Sequence, residues 1–212
     1  MKKIINTTRF LLLLIFPFLL FSQTVEKKIE NIRSKYDMIL KSVKDSTCNT
    51  ISIKFSCPDL PAYGYLTYYY EGSELRMMEL ASDDGSHGGE KQQYFIWNQK
   101  IIFCYIEGGD WVFDGGKDTI IGKDTIYQSF TQDYLYEDRY YFYNNKPIKC
   151  LHKEFIIHNS QENNPDSETT ANKEVDCDTE KIVKRYLNLL KLNAINIKKV
   201  ECPSEIVNLL SN

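Results

Sequence analysis

The residues best able to do chemistry sit in two acidic segments broken by glycine. The first holds Asp83, Asp84, Ser86, His87 and Glu90 among Gly85, Gly88 and Gly89. Glycine lets a loop turn sharply, so these side chains can be brought together. Carboxylates with carbonyl or hydroxyl oxygens suit Ca²⁺, and carboxylates with a histidine suit Zn²⁺. Asp83, Asp84, His87 and Glu90 are therefore the candidate metal ligands. The spacing matches no complete template. It lacks the acidic or amide positions one, three and five that an EF-hand places before its glycine. Asp84 also stands where the first glycine of a Gly-x-Ser-x-Gly hydrolase turn around Ser86 would be. A solvated hairpin loop is the simpler reading and the favoured one.

The second segment holds Glu107, Asp110, Asp114 and Asp118, interrupted by Gly108, Gly109, Gly115 and Gly116, and flanks Trp111 and Phe113. Aromatic faces stack on ligands and carboxylates accept hydrogen bonds from hydroxyls. Glu107, Asp110, Trp111 and Asp114 are thus a candidate rim for a carbohydrate or peptide. A glycosidase would need two carboxylates about 5 to 10 Å apart across a cleft. The simpler alternative is an aromatic hairpin that plugs the core and leaves its charged ends in water. Further on, Cys150, His152, Glu154 and His158 share one parity. On a strand, His152 and His158 would stand about 20 Å apart, too far to share a metal. No His-Glu-x-x-His, phosphate loop or dinucleotide fingerprint exists. No catalytic residue and no cofactor is assigned.

The six cysteines are Cys48, Cys57, Cys104, Cys150, Cys177 and Cys202. An even number suggests disulfides in an oxidising compartment. Cys48 and Cys57 bracket a short strand, and Cys150 and Cys177 bracket a polar stretch, so these are the expected pairs. Cys202 is an alternative partner for Cys177. Cys104 lies in an apolar run and is at least equally well explained as a buried thiol. No Cys-x-x-Cys is present, which argues against a thioredoxin-like or zinc-ribbon site.

The elements that must position these groups follow from periodicity. Val25, Ile29, Ile32, Tyr36, Ile39, Leu40 and Val43 recur every three or four residues, marking an amphipathic helix from about residue 24 to 44. After Cys48 the period becomes two, with Ile51, Ile53 and Phe55 alternating against polar residues. Strands follow at 62–71, 74–82, 91–98, 100–106, 110–114, 133–144 and 146–158, joined by turn-rich connections. Lys117 to Ile126 repeats its first four residues after six, and reads as a loop or edge ribbon. Residues 159–177 are polar and read as a flexible linker or long loop. Asp178 can cap a helix to about Leu192 with Ile182, Val183, Tyr186, Leu187 and Leu190 on one face. A short strand at 194–200 and a last helix from Pro203 complete the chain.

Tyr94-Phe95-x-x-Asn98 and Tyr141-Phe142-x-x-Asn145 each bring an aromatic pair into a turn. Behind a leader and a helix, these hairpins resemble those of uncharacterised secreted bacterial proteins over residues 62 to 155. The resemblance implies a β-hairpin scaffold and carries no catalytic residue. The expected fold is α+β: an N-terminal helix, an antiparallel meander of about seven to nine strands, and C-terminal helices packed on the sheet.

The leader is residues 1–23. Lys2, Lys3 and Arg9 precede the 12 apolar residues Phe10 to Phe21, which are too few for the roughly 20 of a membrane span. Residues 24–158 then form the helix and sheet domain, 159–177 the linker or loop, and 178–212 a helical segment of the same domain. Beyond the leader the chain has 29 acidic residues and, once Lys2, Lys3 and Arg9 are removed, 23 basic ones, so its net charge moves from −3 to −6. That charge disfavours nucleic acid. The sequence thus suggests a periplasmic or secreted protein with no membrane span after leader cleavage. Its expected role is non-enzymatic binding of an unknown protein or envelope glycan. The alternatives are a carboxylate-based or metal-assisted hydrolase of an extracellular polymer, and a structural envelope protein. Three Asp-Ser or Asp-Thr steps, at Asp45, Asp118 and Asp124, resemble a bacterial O-glycosylation pattern.

Overall fold

The computed structural model describes residues 25–57, 62–83, 85–194 and 200–201. Helix α1 covers residues 25–44. Seven strands follow: β1 (Asn49–Cys57), β2 (Ala62–Glu71), β3 (Glu74–Asp83), β4 (Gly88–Trp97), β5 (Lys100–Ile121), β6 (Asp124–Tyr143) and β7 (Lys146–His158). The short β8 (Lys173–Glu174), helix α2 (Glu180–Ala194) and the short β9 (Val200–Glu201) complete the order. One sheet runs β8-β7-β6-β5-β4-β3-β2-β1-β9, antiparallel throughout except for β9, which lies parallel to β1. The last helix expected from Pro203 lies outside the described residues.

Four of the meander's six connections are two-residue turns. Asn98-Gln99 and Asn144-Asn145 have positive φ at both positions, and Gly72 and Gly122 have it at the first position of theirs. These are the conformations that match the twist of paired strands, which is why Asn and Gly occupy them. The expected strand boundaries agree closely except at the second acidic segment. There the structure joins 100–106 and 110–114 to the repeat, giving one 22-residue β5 paired to a 20-residue β6. The glycines read as strand breakers are inside the ladder. A Cβ on Gly108 would meet the Tyr136 ring at 2.8 Å, and one on Gly116 would meet Tyr127 at 2.5 Å. Tyrosine rings from β6 cover the bare backbone of β5, so these glycines provide room for an aromatic neighbour rather than a turn.

Alternation along the strands divides the sheet into two faces. On one, Phe55, Leu66, Tyr68, Met78, Leu80, Tyr94 and Cys104 pack against Ile182, Tyr186, Leu189 and Leu192 of α2. Tyr68 donates its hydroxyl to the Leu189 carbonyl at 2.8 Å, and Tyr70 donates to Asn193 at 2.6 Å. On the other, Met77, Phe95, Phe103 and Tyr141 pack against Ile29, Ile32 and Ile39 of α1, with the Tyr36 ring edge-on to Phe103. This explains why the central strands are apolar on both sides: each face has its own helix. Leu187, expected on the buried stripe of α2, is exposed; Leu189 takes that place.

The polar stretch 159–177 is a loop tied to the sheet edge, hereafter the strap. Its polar residues supply their own contacts. Asp166 accepts hydrogen bonds from the backbone of Glu168 and Thr169, and Asn164 donates to the His158 carbonyl. Arg139 donates to Asn172, and the Val175 amide to the Cys150 carbonyl. The Cys150–Cys177 disulfide closes it. The alternative pairing of Cys177 with Cys202 is therefore excluded.

The expected Cys48–Cys57 bridge does not form. Cys48 is a free thiol, whereas Cys57 is disulfide-bonded otherwise. The reason is geometric: the nine extended residues of β1 separate the two by about 30 Å. A disulfide tolerates no more than about 7 Å between Cα atoms. Cys104 is free and fully buried in the α2 face, and that burial pushes its thiol well above the ordinary value.

Candidate functional site: the charged groove and the projecting ribbon

The two acidic segments meet on the face that carries α1. Register there gives successive rows across β3 to β7. Under the helix the row is apolar: Met77, Phe95, Phe103, Tyr141. The next is Glu79, Gln93, Tyr105, Arg139, Leu151. Then comes a charged row, Lys91, Glu107, Glu137, Lys153, with the two carboxylates side by side and a lysine at each end. Gly89, Gly109, Leu135 and Phe155 follow, and finally Trp111 beside Asp133 and Ile157. A groove of about 600 Å³ lies over the charged and glycine rows, with Ser167 of the strap also lining it. The directly opposed Gly89 and Gly109 leave its floor low, with Leu135 leaning over Gly109. Glu137 and Ser167 also line a second cleft of about 470 Å³ between the strap and α1.

The charged row is tightly partnered. Lys91 pairs with Glu107, and this hydrogen bond raises the lysine above its ordinary value. Tyr105 donates to Glu107 at 3.0 Å. Lys153 is only 2% exposed and Glu137 only 5%, and their charges meet at 3.2 Å. Lys153 also donates to the carbonyl and hydroxyl oxygens of Ser167, and Arg139 donates to Glu137 at 2.6 Å. Burial by itself would raise the Glu137 carboxyl. Hydrogen bonds from Ser167, Tyr105 and Lys153 and the charge of Arg139 outweigh it and hold the group below its ordinary value. Tyr105 is pushed far up, first by burial and then by the carboxylates of Glu137 and Glu107, so it stays protonated.

The candidate rim is split by the pleat. Glu107 and Trp111 share the groove face, while Asp110 and Asp114 point to the opposite one, where Asp114 pairs with His158 at 2.9 Å. The four proposed metal ligands are also dispersed. Asp83 accepts from the Gly85 amide at 2.7 Å, and His87 stands edge-on to Trp111 with centroids 4.2 Å apart. Glu90 lies on the α2 face, where it accepts from Tyr136 at 2.5 Å and also bonds Gln92 and Arg185. Asp84 lies outside the described residues. Among the described residues no three His, Cys, Asp or Glu side chains gather as a metal site would need. His152, likewise, pairs with Asp138 at 2.7 Å rather than with another histidine.

Beyond Asp110 and Gln132 the strands β4 and β7 stop, and β5 and β6 continue alone to the turn at Gly122-Lys123. This two-stranded ribbon contains the Lys117–Ile126 repeat. An extra residue at Gly115, where φ is +79°, shifts the register between Phe113 and Gly116. Phe113 is 67% exposed, Ile120 77% and Tyr127 63%; Val112 and Ile126 are exposed as well. Trp111 is half-buried, its indole packed edge-on against the His87 and Phe113 rings.

Glu137, Lys153 and Arg139 were missed from sequence, yet a signal for them exists. Leu135, Glu137, Arg139 and Tyr141 share one parity, as do Leu151, Lys153 and Phe155. Charges at positions otherwise apolar mark a polar site inside a covered face. Among the described residues no helix is long and apolar enough to cross a membrane. Comparison with known proteins gives no match, whether with family models, curated proteins or solved structures.

Proposed function

We propose that the protein is an exported, non-enzymatic binding module whose contact surface is the β5–β6 ribbon and whose partner is an extended segment of another protein. The observation that supports it is the ribbon's shape. From Phe113 to Ile121 and from Asp124 to Phe130 each strand has one edge with no neighbouring strand among the described residues. Open edges offer main-chain donors and acceptors, and a peptide strand satisfies them by adding to the sheet. The exposed Phe113, Ile120, Ile126 and Tyr127 supply side-chain contacts on both faces of that added strand. The cysteines support export, because the Cys150–Cys177 bridge belongs to an oxidising compartment.

The hydrolase reading has one observation in its favour. Glu107 and Glu137 are directly opposed, which puts their Cβ atoms about 5 Å apart. A glycosidase of that spacing needs one carboxyl kept protonated near neutral pH. Glu137 is held ionised instead, and Glu107 is taken by Lys91 and Tyr105. With Glu137 held ionised and Glu107 already bonded to two partners, binding is the better reading.

The test compares wild type with Phe113→Asp/Ile120→Asp in capture from an envelope extract, and follows amide exchange of the ribbon when captured partner is added. The expected result is a protein retained by wild type alone, with residues 113–121 or 124–130 protected. Equal capture by both proteins, or ribbon exchange unchanged by the partner, overturns the proposal.

A further inference from the structure

We infer that the groove beside Trp111 is a binding site for a neutral oligosaccharide, independent of the ribbon and its protein partner. The geometry matches that chemistry point by point. The paired glycines Gly89 and Gly109, with Leu135 and Phe155, make a low apolar floor. Such a floor accepts the C–H face of a sugar ring, with Gly89 allowing close approach and Leu135 filling the space over Gly109.

One wall is the Lys91–Glu107 pair, both side chains partly open to solvent. The pair has no net charge but presents ammonium donors and carboxylate acceptors side by side. A sugar hydroxyl is donor and acceptor at once and can bond both; a charged ligand would have to break the pair first. Behind it, Glu137, Lys153, Arg139 and Tyr105 are already bonded to one another. They fix the carboxylate wall in place rather than bind ligand. Just past the groove's end stands Trp111, on the same face of β5 and about 7 Å along the strand from Gly109. Its indole is braced edge-on by His87 and Phe113, and a sugar ring overhanging the groove would meet it. About 600 Å³ is room for two or three sugar rings. The acidic excess of the exported chain turns anionic polymers away.

The experiment uses Trp97→Phe, which leaves Trp111 as the sole indole, and titrates it with chitotriose, maltotriose and, as the charged control, trigalacturonate. The expected result is a saturable shift in Trp111 emission with one of the neutral trisaccharides and none with trigalacturonate. By calorimetry, Trp111→Ala and Glu107→Gln should each weaken that binding about tenfold or more, the loss of one stacking or charged hydrogen-bond contact. Ile120→Asp, at the ribbon tip, should leave it unchanged. Absence of saturable binding to both neutral sugars overturns the inference. So does preference for trigalacturonate, or equal affinity in Trp111→Ala and Glu107→Gln. Loss of binding in Ile120→Asp would also overturn it, by placing the site on the ribbon.

Discussion

The same two strands lead two different lives. From Phe103 to Ile106, β5 has β4 on one side, β6 on the other and a helix packed over each face. From Phe113 to Ile121 its one strand neighbour among the described residues is β6. In the first half the side chains are Ile, Phe, Cys and Tyr in contact with a core; in the second Phe113 and Ile120 stand in water. Composition hardly distinguishes the halves, since both are rich in aromatic and β-branched residues. The difference lies in coverage, and it shows that an apolar strand residue serves the fold only where a neighbour exists to bury it.

That contrast can be broken by mutation, most strongly in the covered half. Lys153→Ala should remove the buried cation that ties Glu137 to Ser167, leaving Arg139 as the carboxylate's remaining cation, and cost about 3–5 kcal/mol. Phe95→Ala should open a cavity beneath α1 and cost about the same, about 3–5 kcal/mol. Urea titration measures both, and a loss below 1 kcal/mol for either would mean that the face is far less closed than described. Next comes the strap. Cys150→Ser/Cys177→Ser frees a 27-residue loop and should cost about 3–4 kcal/mol in the same assay.

A pH series sharpens the comparison further. Glu137 has its carboxyl below the ordinary value of 4.5 in the folded protein. A group depressed in this way contributes stability that is present above the unfolded pKa and is lost as pH falls through the folded one. Wild type should therefore weaken below about pH 4.5 by more than Glu137→Gln does, as read from urea midpoints between pH 6 and pH 3. Parallel curves would deny Glu137 its role. The smallest effect belongs to the ribbon: Phe113→Ala and Ile120→Ala should change stability by less than about 0.5 kcal/mol.

The covered half was the more legible in sequence. Alternation placed β1 to β4 and β7 within a few residues, because each strand has a neighbour that enforces its pleat. The ribbon was misread for a physical reason. Gly108, Gly109 and Gly116 look like breaks when the chain is read singly, and only the opposite strand shows that Tyr136, Leu135 and Tyr127 need the space; Gly115 marks the bulge. The groove was half visible. Glu107 and Trp111 were picked out for their chemistry, but Asp110 and Asp114 came with them because the continuous strand, and hence its parity, was not recognised. The row Lys91, Glu107, Glu137, Lys153 draws on four strands, and no spacing along one chain reveals it. The Cys48–Cys57 expectation failed on length: closeness in sequence along a strand is distance in space.

The strand order has a consequence for how the molecule comes to exist. From β7 to β1 each strand lies beside its sequence neighbour, joined in most cases by two residues. Such a sheet needs few long loop closures before its pairings begin to reward one another, and low contact order favours fast folding. Hairpins can close one after another as the chain is made, without waiting for its far end. Among the described residues two ladders must wait for the tail, β8 against β7 and β9 against β1. They cap the opposite edges of the sheet, so the last segments to arrive are those that seal the edges where a half-made sheet would stick to its neighbours.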